Sequence, residues 1–316
     1  MGSPYRLLLD AGAAQLPLEV VLGDSPGRLK GLSAAKAATL KQAVGVDSIR
    51  ELATHPAIRQ AQALTAAQDL HHDPGPDADW QDCFAQAPLG VYQQHPSGRF
   101  RLEFGPVLYR GRLDDTTRVL IVGQDPATDE LLAHRTLVGL SGQRVQGLLR
   151  KLGICRSYLC VNTFLYSITG QFDAAMRGIT QEAPILGYRN TLFDRIADQN
   201  PLELVITFGA AARDAVERWP GKGALPVVDL LHPSAPEADV LVSWNGGLPA
   251  LRQAVSADEG GVVDPQPYGS AFSALDIADI PRCDLPFGVP DWMGRSGAGH
   301  SQRPAGQPKQ ILWTAP

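Results

Sequence analysis

The chain reads as an α/β protein of three layers, α/β/α, built on a central, mainly parallel four-stranded sheet, with a small helical module ahead of it. Three observations predict this. Short, mostly apolar runs fall near 118–123, 158–162, 203–208 and 226–231, each of strand length, as strands covered on both faces are. Helical patterns follow or separate them near 141–152, 186–199, 209–217 and 247–255, and that alternation calls for parallel crossovers with helices on both faces. Residues 25–70 show helical spacing alone, as in Ala37, Leu40, Ala43 and Val44.

Taken in chain order, residues 1–75 form the helical module. Its segment Leu29-Lys30-Gly31-Leu32-Ser33 ahead of Ala34 is similar to a helix-hairpin-helix, whose hairpin glycine, here Gly31, offers backbone amides to a DNA phosphate. A plain helical cap is the alternative. The stretch from His71 to Asp79 is rich in Pro and Asp and reads as a linker; its adjacent histidines point apart and have no further ligands nearby. Residues 80–255 form the α/β domain. From 256 to 316 the composition turns to Gly, Pro, Ser and Asp, and an irregular extension is expected. Within it, the stretch around Trp292 and Ile311-Leu312-Trp313 are apolar enough to dock, and 295–309 is expected to be mobile.

The strand ends carry the chemistry. Gly123-Gln124-Asp125-Pro126 closes the first run and puts an amide and a carboxylate at the edge where open α/β sheets bind ligands. Asn162 ends the second run, and His232-Pro233-Ser234 follows the fourth. The architecture thus brings Asp125, Asn162 and His232 to one edge. Each has a plain alternative: a turn cap for Asp125, a bond to its own backbone for Asn162, a helix start for His232. A second triplet, His95-Pro96-Ser97, follows no strand.

These motifs, in this order, resemble the uracil-DNA glycosylase superfamily over roughly residues 100–255. The segment Arg135–Gly153 is similar to the one after the first motif in its thermophilic, iron-sulfur branch. The resemblance implies a monofunctional hydrolase that flips a base out of the DNA stack and cleaves its N-glycosidic bond in base excision repair. In that reading Asp125 serves the sugar and the attacking water, and His232 the developing oxyanion of the base. Asn162 matches the Watson-Crick edge of uracil, and Gln124 adds a contact to the base. Ser234 and Arg144 are candidates for phosphate contacts, as are Arg150, Lys151 and Arg156. The loop after His232, from which relatives push a wedge into DNA, carries Glu237 and Asp239, which repel phosphates. A catalytically weak or inactive DNA-damage-binding protein of the same fold is the alternative.

Two positions depart from the family. Ala127 stands where relatives with this first motif carry a tyrosine that excludes the thymine methyl, so a roomier pocket is expected. Leu137 stands where relatives stack the base on an aromatic ring, leaving Phe164 or Tyr166 as substitutes. The four cysteines include no CxxC pair, so no 4Fe-4S cluster, metal or other cofactor is expected. A net charge of -5 excludes a broadly basic nucleic-acid coat, so DNA contacts must be local. No run reaches the about 18 apolar residues that a bilayer span needs. A cytoplasmic monomer that binds uracil-containing or damaged DNA is expected, nucleoid-associated in a bacterium.

Overall fold

The computed structural model describes residues 8–69, 71–96, 98–288, 299–302 and 310–313. Ser97, Trp292 and residues 303–309, on which part of the sequence reading fell, lie outside the described residues. The chain divides into two compact units, Met1–His71 and His72–Pro316. No described helix is long and apolar enough to cross a membrane.

The first unit is helical: α1 Leu18–Gly23, α2 Ala34–Val44, α3 Ile49–Thr54 and α4 Pro56–Asp69. Its caps are readable residue by residue. Ser33 accepts the Lys36 amide at the start of α2, and Gly45 closes that helix in the left-handed region. Ser48 and Glu51 form a reciprocal capping box on α3. Gly31, with φ of +88°, turns the chain into α2. The residues before it form a 3-10 turn, Pro26–Arg28, and a bridge from Leu29 to Leu9. Leu9, Ala13, Val21 and Ile49 make this unit's small core.

The second unit begins with α5 Ala78–Ala85, α6 Leu89–Gln94 and the short strands β1 Phe100–Arg101 and β2 Arg110–Gly111. There follow β3 Val119–Gly123, α7 Thr128–Ala133, α8 Gly139–Lys151, β4 Tyr158–Asn162 and β5 Ser167–Ile168. Next come α9 Ala174–Thr180, α10 Ala183–Gln199, β6 Leu204–Phe208, α11 Ala210–Glu217, β7 Val227–Leu230 and α12 Glu237–Ala254. A hairpin of β8 Gly299–Gln302 and β9 Gln310–Trp313 ends the described chain.

The main sheet has the order β2-β4-β3-β6-β7. Its four parallel strands are the four expected ones, and β2 adds a fifth, antiparallel edge beside β4. Two residues, one of them a buried arginine, hold too little alternation to announce that strand. Side chains leave β3 alternately: Val119 and Ile121 join one core with α8 and α12, Leu120 and Val122 the other with α5, α10 and α11. These are the two outer layers of the sandwich. Helix α12 starts ten residues before the helix expected at 247, taking in Glu237 and Asp239, which the sequence assigns to the loop after His232. Gly247 packs against Leu230 and Val228 of β7, where a Cβ would overlap the Leu230 side chain.

Beyond α12 the chain runs irregularly to residue 288 and is held by aspartates. Asp258 accepts the amides of Cys155 and Arg156 and a bond from Arg118. Lys151, 4% exposed, meets Asp264 at 2.5 Å and Asp276 at 3.7 Å. Asp284, fully buried, accepts from Arg110 and Arg112 at 2.8 Å each and from the Tyr158 hydroxyl at 2.5 Å. Arg110 is itself fully buried, and its Nε donates to the Thr136 carbonyl. Removing one partner of such a pair leaves a desolvated charge. Asp284→Ala is therefore expected to destabilise the second unit by about 3–5 kcal/mol. Chemical denaturation measures this, and an unchanged midpoint would mean that the cluster contributes nothing.

Candidate functional site

The site forms where β3 and β6 part. From β3 the chain enters α7 and α8, and α8 packs on one face of the sheet; from β6 it enters α11 on the other. Neighbouring parallel strands whose chains leave to opposite faces open a crevice at their carboxyl ends. Gly123-Gln124-Asp125-Pro126 lines one side, and Gly209 the other. Asn162 ends β4, paired in register with Gly123. His232 follows β7, two residues beyond Leu230.

A glycine at each of the two strand ends lies against a flanking side chain. A Cβ on Gly123 would overlap Asn162 Oδ1, so the buried amide lies directly over the end of β3. A Cβ on Gly209 would stand 3.4 Å from His232 Cβ, so the histidine leans over the end of β6 toward the crevice. Gly209 has φ of +87° and ψ of 177°, a backbone conformation that side chains rarely adopt, and it starts α11 with no side-chain cap. The first amides of α11 therefore add positive potential at the crevice.

Asp125 is held by two donors. The Ile168 amide donates to Oδ2 at 2.9 Å, and Gln124 Nε2 donates to Oδ1 at 3.0 Å. The loop after β4 is tied to the same turn, because the Thr163 and Phe164 amides donate to the carbonyls of Gly123 and Gln124, both at 2.9 Å. Gln124 and Asp125 are half-buried, and Ala127 is exposed beside them.

His232 is fixed as one tautomer. The Ser234 amide donates to Nδ1 at 3.2 Å and the Ser234 hydroxyl lies 2.7 Å from the same nitrogen. Nδ1 is thus an acceptor, and in the neutral ring the proton sits on Nε2. Burial pushes the imidazole pKa down, which keeps the ring neutral at pH 7. The arrangement is a neutral donor at Nε2 and an oriented carboxylate at Asp125.

Several sequence-expected contacts take other roles. Phe164 has no exposed surface; its ring packs against Phe100 and Phe172, so it offers no open face for stacking on a base. Leu137 is 3% exposed and belongs to the sheet core, with Cδ2 3.8 Å from the Cβ position of Gly123. Its φ of +52° is left-handed, a strain of about 1–2 kcal/mol for a non-glycine residue. The Leu137 carbonyl seats against Gly142, where a Cβ would overlap it. Ser234 holds the imidazole.

Arg144 does not stand free for phosphate. Its Nη1 donates to the Pro233 carbonyl at 2.6 Å and its Nη2 to Glu237 at 2.7 Å. Of the other three cations expected on that helix or beside it, Arg150 bonds the Leu275 and Ile277 carbonyls and Lys151 is buried against its aspartates, whereas Arg156 is exposed. Gly31 lies in the first unit and is described there. Cys83 packs in the core on one face of the sheet and Cys160 in the core on the other, so the four thiols do not converge on one cluster. Among the described residues, no group of three or more His, Cys, Asp or Glu is arranged to hold a metal ion.

Glu130 was not anticipated. It is 5% exposed on α7, and its Oε2 accepts the Ala127 amide at 3.0 Å, pinning the residue that follows Asp125-Pro126. Burial, with the neighbouring charges of Asp129 and Asp125, pushes its carboxyl up to about 8. The available signal was its place in the first turn of a helix directly after the motif.

Against known proteins, the family model of the uracil DNA glycosylase superfamily matches residues 110–239. That span runs from β2 into α12 and includes Asp125, Asn162 and His232. No curated protein matches the chain.

The raised Glu130 carboxyl makes stability depend on pH. A carboxyl whose folded pKa exceeds its unfolded one contributes stability that is complete below the ordinary carboxyl range. That contribution is lost as pH rises through about 8. Each pKa unit is worth about 1.4 kcal/mol. Glu130→Gln keeps an acceptor for the Ala127 amide without the titration. Its Tm is expected to overtake the parent's as pH rises from about 5 to about 8. Parallel Tm curves across that range would disprove the assignment.

Proposed function

We propose, from the match of residues 110–239 to the uracil DNA glycosylase superfamily, that the chain hydrolyses the N-glycosidic bond of uracil, or of a related deaminated or 5-substituted pyrimidine, in DNA. The observation that carries this reading is the convergence of an oriented carboxylate, a buried amide and a neutral imidazole on one crevice.

The chemistry follows from the three groups. A flipped nucleotide enters the crevice with its Watson-Crick edge toward Asn162, whose amide offers both a donor and an acceptor. As the bond from the sugar to the base nitrogen breaks, its electron pair leaves with the base and builds an oxyanion. The Nε2–H of His232 donates to that oxygen; no proton is transferred, because a neutral imidazole is a weak acid. Positive charge grows on the sugar, faced by the Asp125 carboxylate. Asp125 also orients the attacking water and takes its proton as the new bond to the sugar forms. An abasic sugar and a free base are the products. Ile168 and Gln124 hold the carboxylate so that it need not reorganise during the reaction.

The same reading has the protein acting on DNA as a cytoplasmic monomer, without a metal or a cluster. The first unit, with Gly31 turning into α2, is its candidate for an additional contact to the DNA backbone. A second reading, a damage-binding protein without turnover, is favoured by the burial of Leu137 and Phe164, which leaves neither to stack on the base.

One assay separates the two. Incubation with uracil-containing oligonucleotides should leave alkali-labile abasic sites. Asp125→Asn and His232→Ala should each slow base release by about a hundred- to a thousandfold. Tight binding with no base release would favour the second reading, and full activity in both variants would remove the site assignment.

Ala127, exposed beside Asp125, makes a specificity prediction. The parent should accept 5-hydroxymethyluracil, and Ala127→Tyr should shift the kcat/KM ratio toward uracil by about tenfold or more. Equal ratios in the two proteins would rule out a substrate role for this position.

A further inference from the structure

The peptide groups on both sides of His232 are clamped from elements outside its own loop. Before it, the Leu231 amide donates to Ser243 Oγ at 2.9 Å, and the Leu231 carbonyl accepts from Trp244 Nε1 at 3.0 Å. After it, the Pro233 carbonyl accepts from Arg144 Nη1 at 2.6 Å. Both clamps end on one residue of the C-terminal extension. Phe272 lies with its ring 4.5 Å below the Arg144 guanidinium and edge-on to Trp244 at 5.6 Å. The Phe272 amide donates to Glu237 Oε1 at 3.2 Å, while Glu237 Oε2 accepts Arg144 Nη2 at 2.7 Å.

Resting on the glycosylase reading, we infer that Arg144 and Phe272 are positioning residues for His232, and that the extension at 256–288 is a working part of the site although it lies beyond the superfamily match at 110–239.

The physical case is one of constraint. A histidine loop bearing two prolines, Pro233 and Pro236, has few amides with which to tie itself down. Its carbonyls must then be held from elsewhere. A guanidinium supplies several donors in a fixed fork, so one side chain can hold a carbonyl and a carboxylate together. Its planar face needs a ring to stop it turning away, and Phe272 provides one. Arg144 is only 13% exposed, so its charge is directed at the loop and not at solvent. Tyr268, 5.6 Å from Phe272, and Trp244 in turn wedge that ring in place. Without the ring, Arg144 and Trp244 lose their shared backing, and the imidazole loses its aim toward the crevice.

The test uses the full chain and two readouts. In base-release kinetics, Arg144→Gln should lower kcat by about ten- to a hundredfold while KM stays within about threefold. Phe272→Leu should lower kcat in the same way, Phe272→Tyr should recover most of that loss, and the double variant should be no slower than Arg144→Gln alone. The second readout is the histidine ring nitrogen spectrum, with the His232 signals assigned by their loss in His232→Ala. The parent should show His232 as a single neutral tautomer protonated at Nε2, and both variants a mixture.

If Arg144→Gln does not fold, Glu237→Gln, which weakens one of the arginine's bonds, should give a smaller kcat loss and the same spectral mixing. Unchanged kcat together with an unchanged His232 spectrum in folded variants would overturn the inference. A rise in KM alone would return Arg144 to a DNA-contact role and overturn it equally. Because the spectrum needs no turnover, a parent that releases no base but shows these spectral changes would sink the glycosylase reading and leave the positioning role standing.

Discussion

The parallel pairing of β3 with β4 on one side and β6 on the other is the constraint on which everything else depends. It brings Gly123 opposite Asn162 and leaves the crevice between β3 and β6, where their chains depart to opposite faces. A sheet with one residue's slip in that register would turn Asn162 to the other face and open no site. The two glycines at the strand ends extend the same constraint. Gly123 admits the Asn162 amide into space that a methyl group would fill, and Gly209 supplies a positive φ beside His232, so the flanking strands can reach toward the crevice.

Charge is handled by a second device. An acidic protein that works on DNA needs local positive potential, yet several of the cations that the sequence offers are taken up internally. Arg110 and Arg112 serve Asp284, Lys151 serves Asp264 and Asp276, and Arg144 serves Glu237 and the Pro233 carbonyl. These pairings bind the irregular extension to the α/β layers. In the proposed reading, the helix amides at the crevice then meet the phosphates, as suits a chain whose net charge is -5.

The four parallel strands were legible because each is a continuous apolar run ending in a polar residue or a turn, and the polar strand ends were legible as a site because that edge of such a sheet is where ligands bind. What stayed hidden depends on distant partners. Strand β2 is two residues long, and its arginine is buried only because Asp284, far along the chain, reaches it. The first half of α12 reads with the loop after His232, since Pro233 and Pro236 lead into it, although Val240, Leu241 and Trp244 bury it. Arg144 reads as a candidate phosphate contact because Pro233, its partner, is 89 residues away in sequence. Glu130 goes unnoticed in the sequence; only the packing of α7 shows that it is buried. Of the two rings offered as substitutes, Phe164 or Tyr166, the place of Phe164 after a strand end says nothing of Phe100 and Phe172 closing over it.

The electrostatics of the crevice follow from these placements. Glu130, buried beside Asp125, is held mostly protonated at pH 7, and His232, half-buried without a charged partner bonded to its ring, is held neutral. Asp125 alone has both oxygens met by donors, the arrangement that suits an ionised carboxylate. A site of one anion and two neutral groups suits the proposed reaction, in which the anion faces the sugar, where positive charge grows, and a neutral donor faces the base, where negative charge grows. Were Glu130 ionised, its charge would repel both the DNA phosphates and the departing base. Burial on the two sides of the crevice thus does the same work as the choice of residues, and it is the packing of α7 and of the His232 loop that maintains it.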